Sequence, residues 1–280
     1  MNQKQIKKRV SSIKNIGKIT SALEMVAASR VQRAQDLALA ARPYADKIYE
    51  LVSAMSQEKV HTVPLMRQPA DFNRDLYVVI STNKGLAGSL NTNLLSSLAK
   101  HLAKTNIPHQ FVTLGRKARP FALKNGKLVS DFSDIEPFEK NIPAIASTIV
   151  ELFTQEKIDR VCLVYSSFVN IMTQEPVVKE LLPISRSEES QEKTVPYTFE
   201  PSTEEVLESL LVFYIENQLR EAITSASASE HASRMLAMKN ASDNAKELGS
   251  VLGLEYNKAR QTAITTEIAD VVTSTESLSI

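Results

Sequence analysis

The chain of 280 residues is 43% hydrophobic and 23% charged, which excludes disorder throughout and allows one large domain or two modest ones. No run approaches the ~18–20 consecutive apolar residues of a membrane helix, and a single cysteine excludes an intrachain disulfide and a multi-cysteine zinc site.

The 33 basic and 32 acidic residues nearly cancel, but residues 1–40 hold eight basic and two acidic residues, whereas 202–280 hold six basic and twelve acidic. This asymmetry predicts two complementary arms around a neutral body. The N-terminus shows no signal-peptide pattern, which predicts a protein that stays in the cytosol.

Proline divides the chain at similar places. All 11 prolines lie between Pro43 and Pro201, so both ends can form long helices. Pro43 itself is expected to kink the first helix or end it, because proline removes a backbone hydrogen bond and crowds the preceding turn. Residues 1–57 are predicted to form a coiled-coil helix because small and apolar residues recur at intervals of three and four: Ile6, Val10, Ile13, Gly17, Thr20, Leu23, Ala27, Val31, Ala34, Ala38, Ala41 and Ile48.

The middle of the chain, residues 58–201, alternates between strand and helix patterns. Such alternation favours an α/β sandwich, predicted here as a central Rossmann-like α/β domain. Segments 115–126 and 185–194 are predicted to be connections. The predicted regular elements are strands at 76–80, 110–114 and 161–165, a return strand at 177–182, and helices at 90–104 and 143–155.

Residues 202–280 are predicted to form the second long helix. Ser202 as N-cap, with Glu205 three residues later, matches a capping box, and apolar residues then recur at helical intervals as far as Leu252. A helix of this length cannot bury itself in a compact globule and needs a helical partner, for which the basic first arm is the natural candidate. Because the second helix is longer, its last ~20 residues should extend beyond that partner and carry a projecting tip.

We find no catalytic residues, cofactor site or metal site in the sequence. Neither a GxxxxGK[ST] loop nor a GxGxxG follows a strand, and we interpret Gly85–Gly88 as a tight turn in preference to an anion site. Cys162 lies in an apolar strand, where a buried, inert thiol is the default. Nucleic-acid binding is disfavoured because no aromatic residue precedes Tyr44 in the basic arm. The four histidines are not spaced as metal ligands are: His61, His101, His109 and His231.

A polar cluster near the end of the second helix is the candidate binding site. Arg260 and Glu267 are seven residues apart, and Gln261 and Thr265 are four residues apart. These spacings place them on a helical face that can hydrogen-bond to a surrounding partner. The alternative interpretation is an ordinary solvated face.

Ordered motifs occur at both ends and in the middle of the chain. The first helix contains Glu-Met-Val-Ala-Ala-Ser at 24–29, and the first strand is followed by Lys-Gly-Leu-Ala-Gly-Ser-Leu-Asn at 84–91. The last helix contains Ala-Ser-Asp-Asn-Ala at 241–245 and Tyr-Asn-Lys-Ala-Arg-Gln at 256–261. In this order the motifs resemble the gamma subunit family of F-type ATP synthases, over nearly the whole chain.

The resemblance implies a central rotor shaft, with the terminal helices wound as an antiparallel coiled coil and an α/β domain at its foot. It implies as partners the alpha and beta subunits of the catalytic hexamer, the epsilon subunit and the c-subunit ring, with no direct insertion into the membrane. Such a subunit would be peripheral, on the cytoplasmic side of the bacterial plasma membrane, and would couple ion flow to ATP synthesis or hydrolysis without itself being catalytic. The residues that match the family's contact with the hexamer are Arg260, Gln261, Thr265, Glu267 and Arg234.

The sequence departs from the family pattern at a few positions. Asn83-Lys84 stands where the family commonly has Asp-Arg, and Val272-Thr273-Ser274-Thr275 replaces a Gly-Gly-Ala-like ending, so the extreme tip is expected to make different contacts. Two other hypotheses remain open at this stage. One is a free-standing coiled-coil adaptor whose α/β domain recruits another protein, and the other is an α/β enzyme.

Overall fold

The computed structural model describes residues 3–55, 63–69, 72–105, 107–184 and 203–278. The predicted capping residue Ser202, the connection 185–194 and His61 lie outside these ranges, as do the predicted domain boundaries at 57/58 and 201/202. The helices are α1 Gln3–Met55, α2 Leu90–Leu102, α3 Arg119–Asn125, α4 Ile142–Thr154 and α5 Thr203–Leu278. The strands are β1 Asp75–Ile80, β2 His109–Leu114, β3 Lys127–Asp131, β4 Arg160–Phe168 and β5 Gln174–Leu182.

The chain divides into two compact units. The helical unit comprises Met1–Ala27 and Arg234–Ile280, and the sheet unit comprises Ala28–Ser233. The helical unit is therefore built from the two ends of the chain, and the sheet unit from its middle.

In the sheet unit, five strands form one sheet in the order β3-β2-β1-β4-β5. β1 runs parallel to β2 and to β4, β2 runs parallel to β3, and β5 returns antiparallel to β4. The mixed α/β architecture with a mostly parallel sheet and terminal helices confirms the predicted fold class. β1 is buried along its whole length, as expected for a central strand covered on both faces.

Alternate residues of β1 serve two separate cores, because successive side chains point to opposite faces of a sheet. Leu76, Val78 and Ile80 pack in a core with α4 and with the part of α5 from Leu207 to Ile223. Tyr77 and Val79 pack in the other core, with α2 and α3. The sheet unit is thus a three-layer sandwich.

Two elements differ from the sequence prediction. Residues 115–126 were expected to form only a connection, but they contain helix α3, and β3 follows it as an edge strand. α3 has seven residues and a proline in its first turn, and β3 mixes polar and apolar residues, so neither element carries a clear hydrophobic period. Gly126 joins them where a Cβ would lie 2.3 Å from the backbone oxygen of His109.

Pro43 does not end the first helix, and that alternative of the prediction was wrong. α1 continues through Pro43 to Met55. Ile48, five residues beyond the proline, is buried in the core shared by α4 and α5. Burial of such a side chain contributes roughly 1.5–3 kcal/mol, which offsets much of the cost of about 3 kcal/mol of an internal proline.

In the helical unit, α1 and α5 run antiparallel in close contact. A Cβ placed on Gly17 would lie 3.4 Å from the Cβ of Ala245, and one placed on Gly249 would lie 3.9 Å from Cγ2 of Ile13. The residue numbers in these two pairs have the same sum, as antiparallel packing requires. Small residues allow this approach: Thr20 is buried with its hydroxyl donated to the backbone oxygens of Ile16 and Gly17.

Candidate functional site

The predicted polar cluster lies on the part of α5 that continues past the start of α1. Extending the register of the Gly17–Ala245 pair places residue 259 opposite Gln3, the first described residue of α1. Ile6, one turn inside that end, is still buried. Arg260, Gln261, Thr265 and Glu267 all follow residue 259 and are all exposed.

Side chains of two kinds share the exposed surface of this segment. At 100° per residue, Arg260 and Glu267 lie about 20° apart, whereas Gln261 and Thr265 lie about 100–140° further round the helix. Between these polar stripes lies an apolar stripe of Ile264, Ile268 and Val271, each about half exposed or more. We call the three stripes together the tip face: Arg260, Gln261, Ile264, Thr265, Glu267, Ile268 and Val271.

The charges of the tip face have no ionic partner in the part of the chain that the structure describes. Among the described residues, neither Arg260 nor Glu267 forms an ion pair. The Thr265 hydroxyl, by contrast, donates its proton to the backbone oxygen of Gln261 at 2.9 Å. Only the lone pairs of the Thr265 hydroxyl oxygen therefore remain for a partner. The tip face therefore offers a cation, an anion, an amide and an apolar stripe to an external surface.

Arg234 is separate from the other four predicted residues. It lies on the same helix but 26 positions earlier, about 39 Å along the axis at 1.5 Å per residue. It is half-buried and has an interaction within the chain. The structure thus brings four of the predicted residues together and leaves Arg234 as a second location.

The apolar stripe of the tip face was missed by the sequence prediction, which named only polar residues at this site. The signal was present, since isoleucines spaced at four in a segment without a helical partner leave apolar surface exposed. Val272 is also exposed, and the side chains of the divergent ending beyond it lie outside the described set.

A second cluster of functional groups lies in the sheet unit, at the edge of the sheet where the parallel strands begin. Asp75 opens β1 and is fully buried, and its carboxylate accepts hydrogen bonds from Nε of Arg160 at 3.0 Å and from the Tyr77 hydroxyl at 3.0 Å. His101 and His109 contact the Tyr77 ring edge-on, with centroids 5.9 and 5.6 Å away. We call these five residues the Asp75 cluster.

The pKa values of the two histidines in this cluster are both lowered. Burial is the largest cause that lowers the pKa of both His101 and His109, and the Arg160 cation acts in the same direction. Lys104 also lowers the pKa of His101, while Asp75 opposes the shift at both rings. Nε2 of His101 and Nδ1 of His109 are buried without a hydrogen-bond partner, so a second ring proton would have no acceptor.

We expect acidification to destabilise the sheet unit through these histidines. Their folded-state pKa lies below the unfolded value of about 6.5, so the neutral rings contribute stability above that pH, and this contribution is lost as the pH falls through the folded-state pKa. Denaturant unfolding of the purified chain at about pH 7.5 and about pH 5.5 measures the loss. The double variant His101→Gln with His109→Gln should lose less stability over this interval than the wild type. Equal losses in the two proteins would contradict the assignment.

Other possible sites have structural explanations. Cys162 is buried, and burial raises the pKa of its thiol to about 12, which removes it from thiolate chemistry. Among the described residues no group of three or more metal-binding side chains comes together. The described helices also contain no apolar stretch long enough to cross a bilayer.

Comparison with known proteins assigns the chain to a family over its whole length. The family model described as ATP synthase matches residues 2–278. The ATP synthase gamma chain of Methylacidiphilum infernorum is 39% identical, with 97% of each chain covered. The ATP synthase gamma chain of Roseiflexus castenholzii is 38% identical, with 98% of each covered.

Solved structures give the same assignment for the fold. A chain of the central stalk and c-ring of the Tetrahymena thermophila mitochondrial ATP synthase is 28% identical, with a TM-score of 0.60 over 80% of this chain and 99% of that one. A chain of the Euglena gracilis mitochondrial ATP synthase aligns with a TM-score of 0.65 over 99% of this chain and 94% of that one. The identity in that second match is 17%, so it supports the fold alone.

Proposed function

Because the chain belongs to the ATP synthase gamma chain family, we propose that it is the non-catalytic central shaft of a rotary ATP synthase. Its role is to couple ion flow through the membrane sector to ATP synthesis or hydrolysis in a hexamer of alpha and beta subunits. The observation that carries this proposal is the full-length match, combined with a helical unit whose α5 end presents an exposed face with unused charges.

The tip face supplies a physical basis for the coupling. It covers about 160° of the circumference of α5 at 100° per residue, so subunits that surround the helix meet different chemical surfaces at any one time. A subunit facing Arg260 and Glu267 gains polar contacts that a subunit facing the opposite side does not. Differential contact of this kind shifts each subunit toward a different conformation, and rotation of the helix passes each conformation from one subunit to the next.

The remaining partners and the location are part of the same proposal. We propose that the epsilon subunit and the c-subunit ring bind the same chain, and that the complex places it peripherally on the cytoplasmic side of a bacterial plasma membrane. The gamma chain relatives at 36–39% identity support a bacterial complex.

Subunit composition tests the proposal directly. The ATP synthase extracted from membranes of the source cell should contain this chain as one copy among three alpha and three beta chains. Consistent absence of the chain from that complex, with a stable soluble particle in its place, would favour the adaptor hypothesis instead.

Replacing both Arg260 and Gln261 by alanine should impair coupled ATP turnover in the assembled complex. The two changes remove polar groups from both stripes of the tip face, and a loss of about 1.4 kcal/mol of differential contact lowers a rate about tenfold. Circular dichroism of the isolated variant should match the wild type, because alanine favours helix. Glu255→Ala is the matched control, since Glu255 is exposed on α5 but lies outside the tip face. Unchanged turnover in the double variant would place the functional contact elsewhere.

A further inference from the structure

Three serines on one face of α5 hydrogen-bond to the sheet. Ser225, Ser229 and Ser233 are spaced at four and therefore share a helical face. Ser225 Oγ accepts from the backbone N–H of Phe168 at 3.0 Å, Ser229 donates to the backbone oxygen of Ser166 at 2.9 Å, and Ser233 donates to the backbone oxygen of Ala87 at 2.8 Å. We call this set the serine ladder. All of its contacts lie within the sheet unit.

The ladder lies at a particular place in the sheet. Ser166 and Phe168 are at the carboxyl end of β4, and Ala87 is in the turn that follows β1. β1 and β4 are adjacent parallel strands, and the chain leaves β1 toward β2 on the side away from β4. The carboxyl ends of such a strand pair form the crevice in which open α/β sheets bind their ligands. Here the chain's own helix bonds to the end of β4 and to the turn that follows β1.

The turn after β1 is shaped to receive the helix. Gly88 adopts a φ of +54°, and a Cβ placed on it would lie 3.5 Å from Ser233 Oγ. Asn91 fixes the start of the turn, because its Oδ1 accepts from the backbone N–H of Thr82 and its Nδ2 donates to the Thr82 hydroxyl. Ser229 is completely buried, so its hydroxyl has no competing water. The ladder therefore joins fixed backbone atoms to a fixed helix.

We propose that the serine ladder is the joint through which the sheet passes torque to α5. This inference rests on the proposed rotor function and adds to it the atoms that carry the load. Apolar packing, which also joins α5 to the sheet, is non-directional. Hydrogen bonds to strand ends have a required direction, so they fix the angle of α5 about its own axis. α5 is a single helix from Thr203 to Leu278, so the ladder and the residues of the tip face belong to the same element.

The first test compares ion transport with ATP hydrolysis in the reconstituted complex. The triple variant Ser225→Ala, Ser229→Ala, Ser233→Ala should retain ATP hydrolysis but lower the ions transported per ATP by about twofold or more, because three directional bonds are lost. Ser229→Ala alone should show a smaller loss of the same kind, which covers the case in which the triple variant does not assemble. Ser227→Ala, two residues from both Ser225 and Ser229 and therefore on another face of α5, is the matched control. Ser233→Thr keeps the hydroxyl and should retain coupling that Ser233→Ala loses. An unchanged ratio in both the triple and the Ser229 variants would overturn the proposal.

A reversible covalent bond provides the second test. Gly88→Cys with Ser233→Cys places two thiols across the joint but removes the Ser233 hydroxyl, so the reduced variant should transport fewer ions per ATP than the wild type. Oxidation should raise that ratio toward the wild-type level without loss of hydrolysis, since the covalent bond replaces the lost hydrogen bond and a joint that carries torque stays closed during rotation. Inhibition on oxidation that a reductant reverses would show that the joint must open, and would overturn the proposal. If the rotor function itself were wrong, the wild-type chain would be missing from the purified complex, an outcome distinct from either of these.

Discussion

Replacing Arg160 by methionine is expected to lower the free energy of unfolding by about 3–5 kcal/mol, the cost of leaving a buried charge without its partner. Asp75 is fully buried, and the Arg160 side chain is only 18% exposed. The bond to Asp75 raises the pKa of the guanidinium, and the same side chain stacks over the Phe72 ring at 5.3 Å. The Tyr77 hydroxyl would remain as a donor to the carboxylate but carries no charge. Urea denaturation followed by circular dichroism measures the change.

Two controls separate the buried pair from ordinary loss of an arginine. Arg116→Met removes an ion pair to Asp134 whose members are 67% and 80% exposed, and such pairs contribute about 0–1 kcal/mol. Combining Asp75→Asn with Arg160→Met removes the stranded charge and should recover part of the loss. A single Arg160 variant no less stable than the Arg116 variant would show that the Asp75 cluster is not a source of stability.

Proline at position 241 is expected to disrupt the helical unit, at a cost of about 3 kcal/mol or more. Ala241 lies inside α5 and is half-buried, and its neighbours Ser242 and Ala245 are buried. Ala245 lies beside Gly17 of α1. Proline would remove the backbone bond to residue 237 and crowd the preceding turn. Helicity by circular dichroism should fall, and incorporation into the ATP synthase complex should fall with it.

Glycine at the same position provides the graded control. Ala241→Gly keeps the backbone N–H and should cost only about 1 kcal/mol, so it should reduce stability without preventing assembly. If the proline variant matched the wild type in both helicity and assembly, α5 would not need to be continuous at this point.

The sequence predicted the long elements well because their signals extend over many residues. Residues 3–55 contain a single proline and have one apolar face, a pattern that favours a long helix such as α1. The apolar run 76–80 favours a buried strand such as β1. α3 and β3 were missed because each is short and lies at the edge of the sheet unit, where polar and apolar side chains are both tolerated. Short elements are defined by what they pack against more than by their own pattern.

The candidate site was predictable only in part, for a similar reason. Gln261 and Thr265 could be placed on one face because their spacing alone determines it. The pairing of Asp75 with Arg160 joins residues 85 positions apart, and the serine ladder joins α5 to strand ends 57–146 positions away. Residue spacing within one helix is local information, whereas these contacts depend on the strand order.

The position of Gly17 beside Ala245 also sets the order of events during synthesis. The partner of the first turns of α1 is made more than 220 residues later, which at 5–20 residues per second is a delay of roughly 10–50 s. The whole of the sheet unit is synthesised within that interval, since it spans Ala28–Ser233. The nascent chain must therefore carry a basic N-terminal segment without its helical partner until the residues around Ala245 have left the ribosome, and only then can the helical unit form.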